Sequence, residues 1–400
     1  MMTTHRSVVR ETQRVGQRWL TDVPAEWLAT RLRFVCDIAT GSGDTQDAEP
    51  EGEYHFYVRS PHPLRSTGFT FDTEAVLTAG DGAVGEVFHH VRGKFHAHQR
   101  VYVLSNFRHI LPRYFYYYFS SFFRLMAQDG SARTTVDSVR RWMLTDMPFV
   151  LPPLDEQRAI ADYLDNETAQ IDALVAKQEG FIGLLRERQE AFADAEFQQR
   201  GDRRSATVRQ TLVRLDRSPL PGSGVVTAYR DGVVTLRANR RADGYTMSEA
   251  EAGYQGVLPG DIVFHALDGF AGAVGISDSE GQCSPVYHVC RPRYADDAEY
   301  LALLIRYMGT SGFLSTQAPS TRQRSVDFRN WGTFARVPLV LPTVDHQKKF
   351  VAEYQAHSAR FDGLIAKAQE HIALAKERRS ALITAAVTGQ IDVRTARMAG

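Results

Sequence analysis

Short polar turns rich in arginine, serine and asparagine suit one chemistry well: holding phosphates and reading base edges. Arg, Lys, Ser, Thr and backbone amides supply phosphate contacts, while Arg reads guanine and Asn or Gln reads adenine. Several stretches carry that combination. In the first third of the chain, loops hold Arg59, His62, Arg65, Lys94, His98 and Arg100. Ser131 and Arg133 stand in the flexible run Gly130-Ser131-Ala132-Arg133-Thr134. Arg237, Asn239, Arg240, Arg241 and Tyr245 form a later basic cluster, followed by the turn Ser320-Thr321-Arg322-Gln323-Arg324-Ser325. Any one of these arginines serves equally well as a solvated surface charge. As a set, the Arg322/Arg324 turn is the leading candidate.

Residues for bond-making chemistry do not assemble into a motif. Gly85 and Gly93-Lys94 are wrongly spaced for a phosphate-binding loop. The glycine-rich turns at 82–85 and 269–275 lack the strand–turn–helix setting of a dinucleotide site. His89-His90 and His96/His98 have no cysteine or carboxylate pattern that completes a metal ligand set, so no metal site is expected. Neither Asn-Pro-Pro-Phe nor Asp-Pro-Pro-Tyr occurs, and no nuclease cluster of carboxylates and lysine is visible. The pattern points to a reader and not to a catalyst.

The elements that must position these turns are two long helices, and the chain spells them twice. Val150-Leu151-Pro152 recurs as Val340-Leu341-Pro342, an offset of 190 residues (340 − 150 = 190). Asp155, Gln157, Asp172, Leu174, Lys177, Ile182, Glu187 and Arg188 recur as Asp345, Gln347, Asp362, Leu364, Lys367, Ile372, Glu377 and Arg378 at the same offset. Ile160, Leu164, Ile171, Leu174, Phe181, Leu185 and Phe192, with Glu167, Gln178 and Arg188 as polar interruptions, step by threes and fours. Their counterparts are Phe350, Tyr354, Phe361, Leu364, His371, Ala375 and Leu382. Apolar residues at an average step of 3.5 form a seam that needs a facing helix. Each helix could instead pack on its own globular neighbour. Mutual antiparallel pairing about a pseudo-twofold axis is favoured, because both seams share length and phase. Some forty residues at about 1.5 Å each make a rod of roughly 60 Å.

A globular segment precedes each long helix. The first shows an entry turn at Val23-Pro24-Ala25-Glu26-Trp27 and a predicted strand through Leu32, Phe34 and Val35. Further strands are expected in 75–88 and 98–104, then a helix over 111–126 dense in Tyr114 to Phe119, Phe122 and Phe123. Aromatic rings can stack on bases, but at helical spacing they fit a core. The second segment echoes these landmarks faintly. Asp268-Gly269-Phe270-Ala271-Gly272 matches Asp81-Gly82-Ala83-Val84-Gly85, and 300–308 matches the aromatic helix. The expected fold is α/β (α+β): two similar α/β domains and a long antiparallel two-helix coiled coil. The boundaries read as a tail at 1–17, domain one at 18–150 and a central helix at 151–204. Domain two follows at 205–340, then a second helix at 341–393 and a tail at 394–400.

Composition fits a large soluble protein with real cores, 43% of its residues being hydrophobic. Lysine plus arginine and aspartate plus glutamate each number 47, so no uniformly basic coat is present, although local basic surfaces are not excluded. Three cysteines are too few for a disulfide framework, and no apolar stretch is long enough to cross a membrane, so a reducing cytoplasm is expected.

The arrangement resembles the specificity (S) subunit of Type I restriction–modification systems across nearly the whole chain. Its signature is Leu-Pro-Pro-Leu-Asp-Glu-Gln at 151–157 with the echo Leu-Pro-Thr-Val-Asp-His-Gln at 341–347, and the tail Thr384 to Ile391 is also similar. Glu156 becomes His346, and the tryptophan-containing entry of the first domain has no clear copy near 214–224, which leaves the start of the second domain open. The resemblance implies two target recognition domains, each reading half of an asymmetric, bipartite site in double-stranded DNA. Helices of the length expected here span on the order of two turns of B-DNA at about 34 Å each. It further implies docking of two methyltransferase (M) subunits and, through them, restriction (R) subunits. No cofactor is expected on this chain; S-adenosylmethionine, ATP and Mg²⁺ belong to the partners. Two rivals remain: a coiled-coil scaffold without DNA specificity, and a nuclease or methyltransferase with an unrecognised site.

Overall fold

The structure is a computed structural model, and it describes residues 11–17, 20–82, 84–130, 138–199, 201–219, 222–240, 253–318 and 326–396. The chain divides into two compact units, Met1–Glu179 with Gln369–Gly400, and Gly180–Ala368. Both long helices contribute to both units.

The first unit opens with the hairpin β1 (Thr12–Gln17) and β2 (Leu20–Pro24), then β3 (Leu28–Arg31) and β4 (Asp37–Thr40). There follow β5 (Tyr54–Tyr57), β6 (Leu64–Ser66), β7 (Phe71–Asp72), β8 (Ala75–Ala79), β9 (Phe88–Val91), β10 (Lys94–Ala97) and β11 (Val101–Ser105). Helix α1 (Pro112–Gly130) precedes the short α2 (Arg141–Thr145), β12 (Pro148–Leu151) and the 45-residue α3 (Leu154–Gln198). One sheet has the order β4-β11-β8-β9 and another β6-β5-β10-β7, while β12 pairs with β3. Strand alternation sorts the core into two layers. Val76 and Leu104 pack with the rings of α1, whereas Ala75, Leu77, Val101 and Val103 pack with Phe95 and Ala97 of the second sheet.

The second unit repeats this plan from β3 onward, with a short helix (Phe313–Gln317) added and, among the described residues, without a counterpart of the β1–β2 hairpin. It comprises β13 (Arg204–Thr207), α4 (Val208–Thr211), β14 (Leu212–Arg214), β15 (Val226–Ala228), β16 (Val234–Leu236), β17 (Gln255–Val257), β18 (Ile262–His265) and β19 (Val274–Ile276). Then come β20 (Gly281–Cys283), β21 (Tyr287–Pro292), α5 (Ala298–Thr310), α6 (Phe313–Gln317), α7 (Trp331–Phe334), β22 (Pro338–Leu341) and α8 (Val344–Val387). The sheet β14-β21-β18-β19 copies β4-β11-β8-β9, and β13 pairs with β22 as β3 does with β12. The parallel bridge Val225–Gln282 sets β15 beside β20, as β5 lies parallel beside β10. Its two core layers also recur: Ile262, Phe264 and Cys290 under α5, Val263 and Val289 toward Val226, Val257 and Cys283. The short helix α9 (Val393–Ala396) closes the chain.

The aromatic run is core. Tyr114, Phe115, Tyr117, Tyr118, Phe119, Phe122 and Phe123 are all buried, and only Tyr116 of that row is half-buried, its ring under the Arg113 guanidinium. Where a strand was expected at Leu32 to Val35 there is a 3₁₀ turn, Leu32–Phe34, and Phe34 is exposed. The stretch 98–104 is likewise not one strand: residues 98–100 turn between β10 and β11.

Within each unit the long helices run antiparallel. In the first, Ile160 and Leu164 share a cluster with Ile383, Ala386 and Val387, and Arg379 Nε donates to Asp172 Oδ1 at 2.9 Å. In the second, Gln189 Nε2 donates to Ser358 Oγ at 2.8 Å, and the Phe192 ring stacks 5.8 Å from Phe350 and 4.3 Å from His357. The seam shifts by one position from the expected register. Ile160, Leu164, Ile171, Leu185 and Phe350 are buried and Tyr354, Phe361, Leu364 and Leu382 half-buried, but Leu174 is 47% and Phe181 42% exposed. The buried line passes instead through Thr168, Ile171, Val175, Gln178, Ile182 and Leu185. Polar residues hold seam positions there, which hides the true phase from an apolar count.

The repeated Gln of the helix entries has a physical task. Gln157 is fully buried: its Oε1 accepts from Leu111 N at 2.8 Å, and Nε2 donates to His109 O at 3.1 Å and Pro152 O at 2.9 Å. Gln347, equally buried, accepts from Asp297 N at 2.9 Å and donates to Asp296 Oδ1 at 2.9 Å and Pro342 O at 3.1 Å. Each amide thus ties the start of α1 or α5 to the start of a long helix. Gly389 in the tail follows the same logic of close approach. It has φ +73°, and a Cβ there would lie 2.5 Å from Pro24 Cγ.

Truncating a buried amide strands its former partners, at about 1–3 kcal/mol per unsatisfied group. Gln157→Ala and Gln347→Ala are each expected to lower unfolding free energy by about 2–4 kcal/mol in urea titration. A loss below about 0.5 kcal/mol, the size of a surface change, would show that the amide is no clamp.

Candidate nucleic-acid interface

Because Gln157 holds the start of α1 at the long helix, the opposite end of α1 defines a rim about 28 Å away, taking about 1.5 Å per residue. Several candidates meet at that rim. Arg59 Nη1 donates to Asp81 Oδ1 at 2.9 Å, and Arg100 Nη1 donates to Asp81 Oδ2 at 2.5 Å. Arg59 comes from the connection after β5, Asp81 from the turn after β8, and Arg100 from the turn before β11. Ser138, where the described chain resumes after α1, forms a β-bridge with Asp81.

Burial would raise the Asp81 carboxyl, yet hydrogen bonds from Arg100 and Arg59 hold it below the ordinary aspartate range. One carboxylate therefore orients two exposed guanidiniums and leaves a net positive charge. His98 is only 4% exposed, and its Nδ1 accepts from Arg100 N at 3.0 Å. Burial first, then the nearby Arg59, lowers its pKa. Its ring lies inside the turn and braces the Arg100 backbone. Lys94 lies at the other end of β10, its Nζ 4.7 Å over the Phe69 ring, and does not join the Asp81 cluster.

In the second unit the β15–β16 hairpin carries the corresponding residues. Arg240 Nη2 donates to Asp231 Oδ2 at 2.7 Å and its guanidinium lies 4.7 Å over the Tyr229 ring, so it reaches the hairpin tip. Arg237 sits at the hairpin base, with Nε 3.4 Å from Thr227 Oγ1. Arg230, which the sequence reading missed, donates from Nη2 to Asp268 Oδ1 at 2.8 Å. In Tyr229-Arg230-Asp231-Gly232 it reads as an ordinary turn charge; only the equivalence of the two units marks it. Ser131, Arg133, Arg241, Tyr245, Ser320, Arg322 and Arg324 lie outside the described residues.

Among the described residues, no group of three or more His, Cys, Asp or Glu is placed to hold a metal ion. Cys36 and Cys283 are buried, with thiols pushed up to about 12, and Cys290 is raised further by burial. No helix among the described residues is long and apolar enough to cross a membrane.

Residues 24–179 match the Type I restriction modification DNA specificity domain. The chain is 29% identical over 164 residues to the Type I restriction enzyme EcoDI specificity subunit of Escherichia coli, a stretch covering 41% of this chain and 36% of that relative. The match thus spans about a third of the curated relative's length. A chain solved in work on complex assembly and conformational transition of the type I R-M system superposes with TM-score 0.64 at 14% identity, over 92% of this chain and 99% of that one. The HsdS subunit from Thermoanaerobacter tengcongensis gives TM-score 0.47 at 15% identity, over 92% and 98% of the two chains.

Exposed ion pairs add little stability, typically below about 1 kcal/mol. Asp81→Asn should therefore leave the melting temperature nearly unchanged while the Arg59 and Arg100 Nε–H signals lose order in NMR relaxation. A large drop in melting temperature would make the cluster a structural keystone instead. The sign with pH follows from the depressed carboxyl. The pairing is fully present above the unfolded aspartate value of about 3.9 and is lost only as pH falls through the lower folded value.

Proposed function

We propose that this chain, whose residues 24–179 match the Type I restriction modification DNA specificity domain, is the non-catalytic, sequence-reading subunit of a type I restriction–modification complex. One observation carries this reading: a two-sheet unit with one packed helix occurs twice in the described fold with the same strand order, yet with unlike charged residues at its rim. A duplicated scaffold bearing different side chains suits two half-sites of different sequence. Direct readout depends on which side chains meet the base edges, while phosphate contacts only set the register.

The target in this reading is double-stranded DNA with two short, unlike half-sites. The length of α3 and α8 sets the number of unread base pairs between them. Methyltransferase subunits dock on the long helices, and restriction subunits join through them. Exposed leucines support that docking: Leu184 and Leu374 stand at the shared offset (374 − 184 = 190) on the outer faces of the two helices. The partners bring S-adenosylmethionine, ATP and Mg²⁺, and this chain contributes selection.

The test is methylation mapping by single-molecule sequencing in cells expressing the chain with its methyltransferase subunits. A split methyl-adenine motif is expected. Replacing residues 205–340 with the matching segment of another such chain should rewrite one half-site and leave the other intact. A change in both halves, or methylation that ignores sequence, counts against independent readers. Turnover by the purified chain alone would point to an enzyme, and salt-independent assembly with protein but not DNA to a scaffold.

A further inference from the structure

Resting on the reading above, we propose that Arg230 is a DNA-contacting, specificity-determining residue of the second unit. Asp268 is the positioning residue that aims it, as Asp81 aims Arg59 in the first.

The equivalence is geometric. Arg59 stands two residues beyond the end of β5, and Arg230 two residues beyond the end of β15, the strand in the same place of the duplicated sheet. Each guanidinium is held by the aspartate of the Asp-Gly turn that follows the central strand, β8 or β18. The neighbouring sequences differ, Tyr57-Val58-Arg59 against Ala228-Tyr229-Arg230, so the shared feature is the ion pair itself.

Stability does not account for this pair. The Arg230 side chain is 68% exposed, and exposed pairs are worth little. What the pair does achieve is order in a long side chain that otherwise has many rotamers. Its backbone is held as well. A Cβ on Gly272, at φ +93°, would lie 2.7 Å from Arg230 O, and one on Gly275 would lie 2.0 Å from Gly232 O. Only glycines let the hairpin tip press this closely on the turn after β18 and on β19. An exposed arginine fixed at backbone and head is prepared to meet a guanine edge with both nitrogens, and such preorganisation lowers the cost of binding.

The two rims also differ in a way that fits unlike half-sites. Asp81 holds two arginines. Asp268 holds Arg230, with His265 Nδ1 3.6 Å from its Oδ2. His265 Nδ1 accepts backbone N–H bonds from Leu267 and Asp268, and burial lowers its pKa, so it stays neutral beside the carboxylate. Among the described residues, the aspartate of the Asp-Gly turn thus holds two cationic forks in the first unit and one in the second.

The experiment uses the full chain assembled with its methyltransferase subunits. Arg230→Ala, Arg230→Lys and Asp268→Asn are compared with wild type by methylation mapping and by DNA binding across a salt series, with complex assembly and melting temperature as controls. Arg230→Ala should lower discrimination at one half-site by roughly tenfold or more, as loss of a bidentate base contact does, and leave the other half-site unchanged. Arg230→Lys keeps the charge without the fork and should recover affinity but not discrimination. Asp268→Asn should weaken discrimination in the wild-type background and have no further effect in Arg230→Ala. A split motif untouched by Arg230→Ala, with the complex intact, overturns this assignment alone. A wild-type complex that methylates no split motif overturns the parent reading and this assignment with it.

Discussion

The need to satisfy a buried amide governs each unit. A primary amide in an apolar interior has to find partners for its carbonyl and both N–H bonds, or it costs several kilocalories per mole. Gln157 and Gln347 find theirs on backbone and side-chain groups from two directions: the proline carbonyl just before the long helix, and the residues just before α1 or α5. Those partners exist in only one geometry. Hence the packed helix of each unit leaves the long helix at a set place, and the rim at its far end is set in turn. Buried tyrosines reinforce the arrangement, with Tyr114 OH donating to Val150 O at 3.2 Å and Tyr118 OH to Pro148 O at 3.3 Å.

The seam of the long helices follows a different rule. Thr168, Gln178 and Gln189 occupy inward positions on α3, and Ser358 and Arg379 do so on α8. A seam of leucines alone would bind more tightly but would tolerate sliding by a heptad and a parallel alternative. Gln189–Ser358 in the second unit, and Arg379–Asp172 in the first, each form in only one register. Stability is exchanged for a defined alignment.

The same feature decides what could be read from the amino-acid sequence. The long helices were legible because identical residues at one offset survive over many turns, and so was the helix-entry motif. The phase of the seam was not. Leu174 and Phe181 are apolar and fit an alternating count, yet they are exposed, because the inward positions between them belong to Val175 and Gln178. Tertiary packing overrode the local pattern. The aromatic density of α1 was correctly legible as core, since rings at helical spacing have to bury somewhere. Phe34 misled in the opposite sense: between Leu32 and Val35 it suggested a strand, but a 3₁₀ turn buries Leu32 and leaves Phe34 under the Arg33 guanidinium, 5.5 Å from its ring centroid. Arg230 was invisible because pairing across 38 residues to Asp268 leaves no local trace.

The two copies have also diverged at their most similar point. In the first, Glu156 is buried and Trp27 Nε1 donates to its Oε2 at 3.2 Å. In the second the equivalent residue is His346, and the carboxylate comes from the partner helix. Buried Glu196 there receives Tyr300 OH at 2.9 Å and Arg203 Nη2 at 3.0 Å, with His346 Nε2 at 3.0 Å. A carboxylate out of water requires such partners to remain charged. Both carboxylates lie on α3, Glu156 at its start and Glu196 near its end, so the two copies are not interchangeable: a second Glu156 would crowd Glu196, and a second His346 would leave Trp27 N–H without its acceptor. The repeated scaffold therefore carries its buried carboxylate at a different place in each unit, Glu156 against Trp27 in the first and Glu196 against Tyr300, Arg203 and His346 in the second.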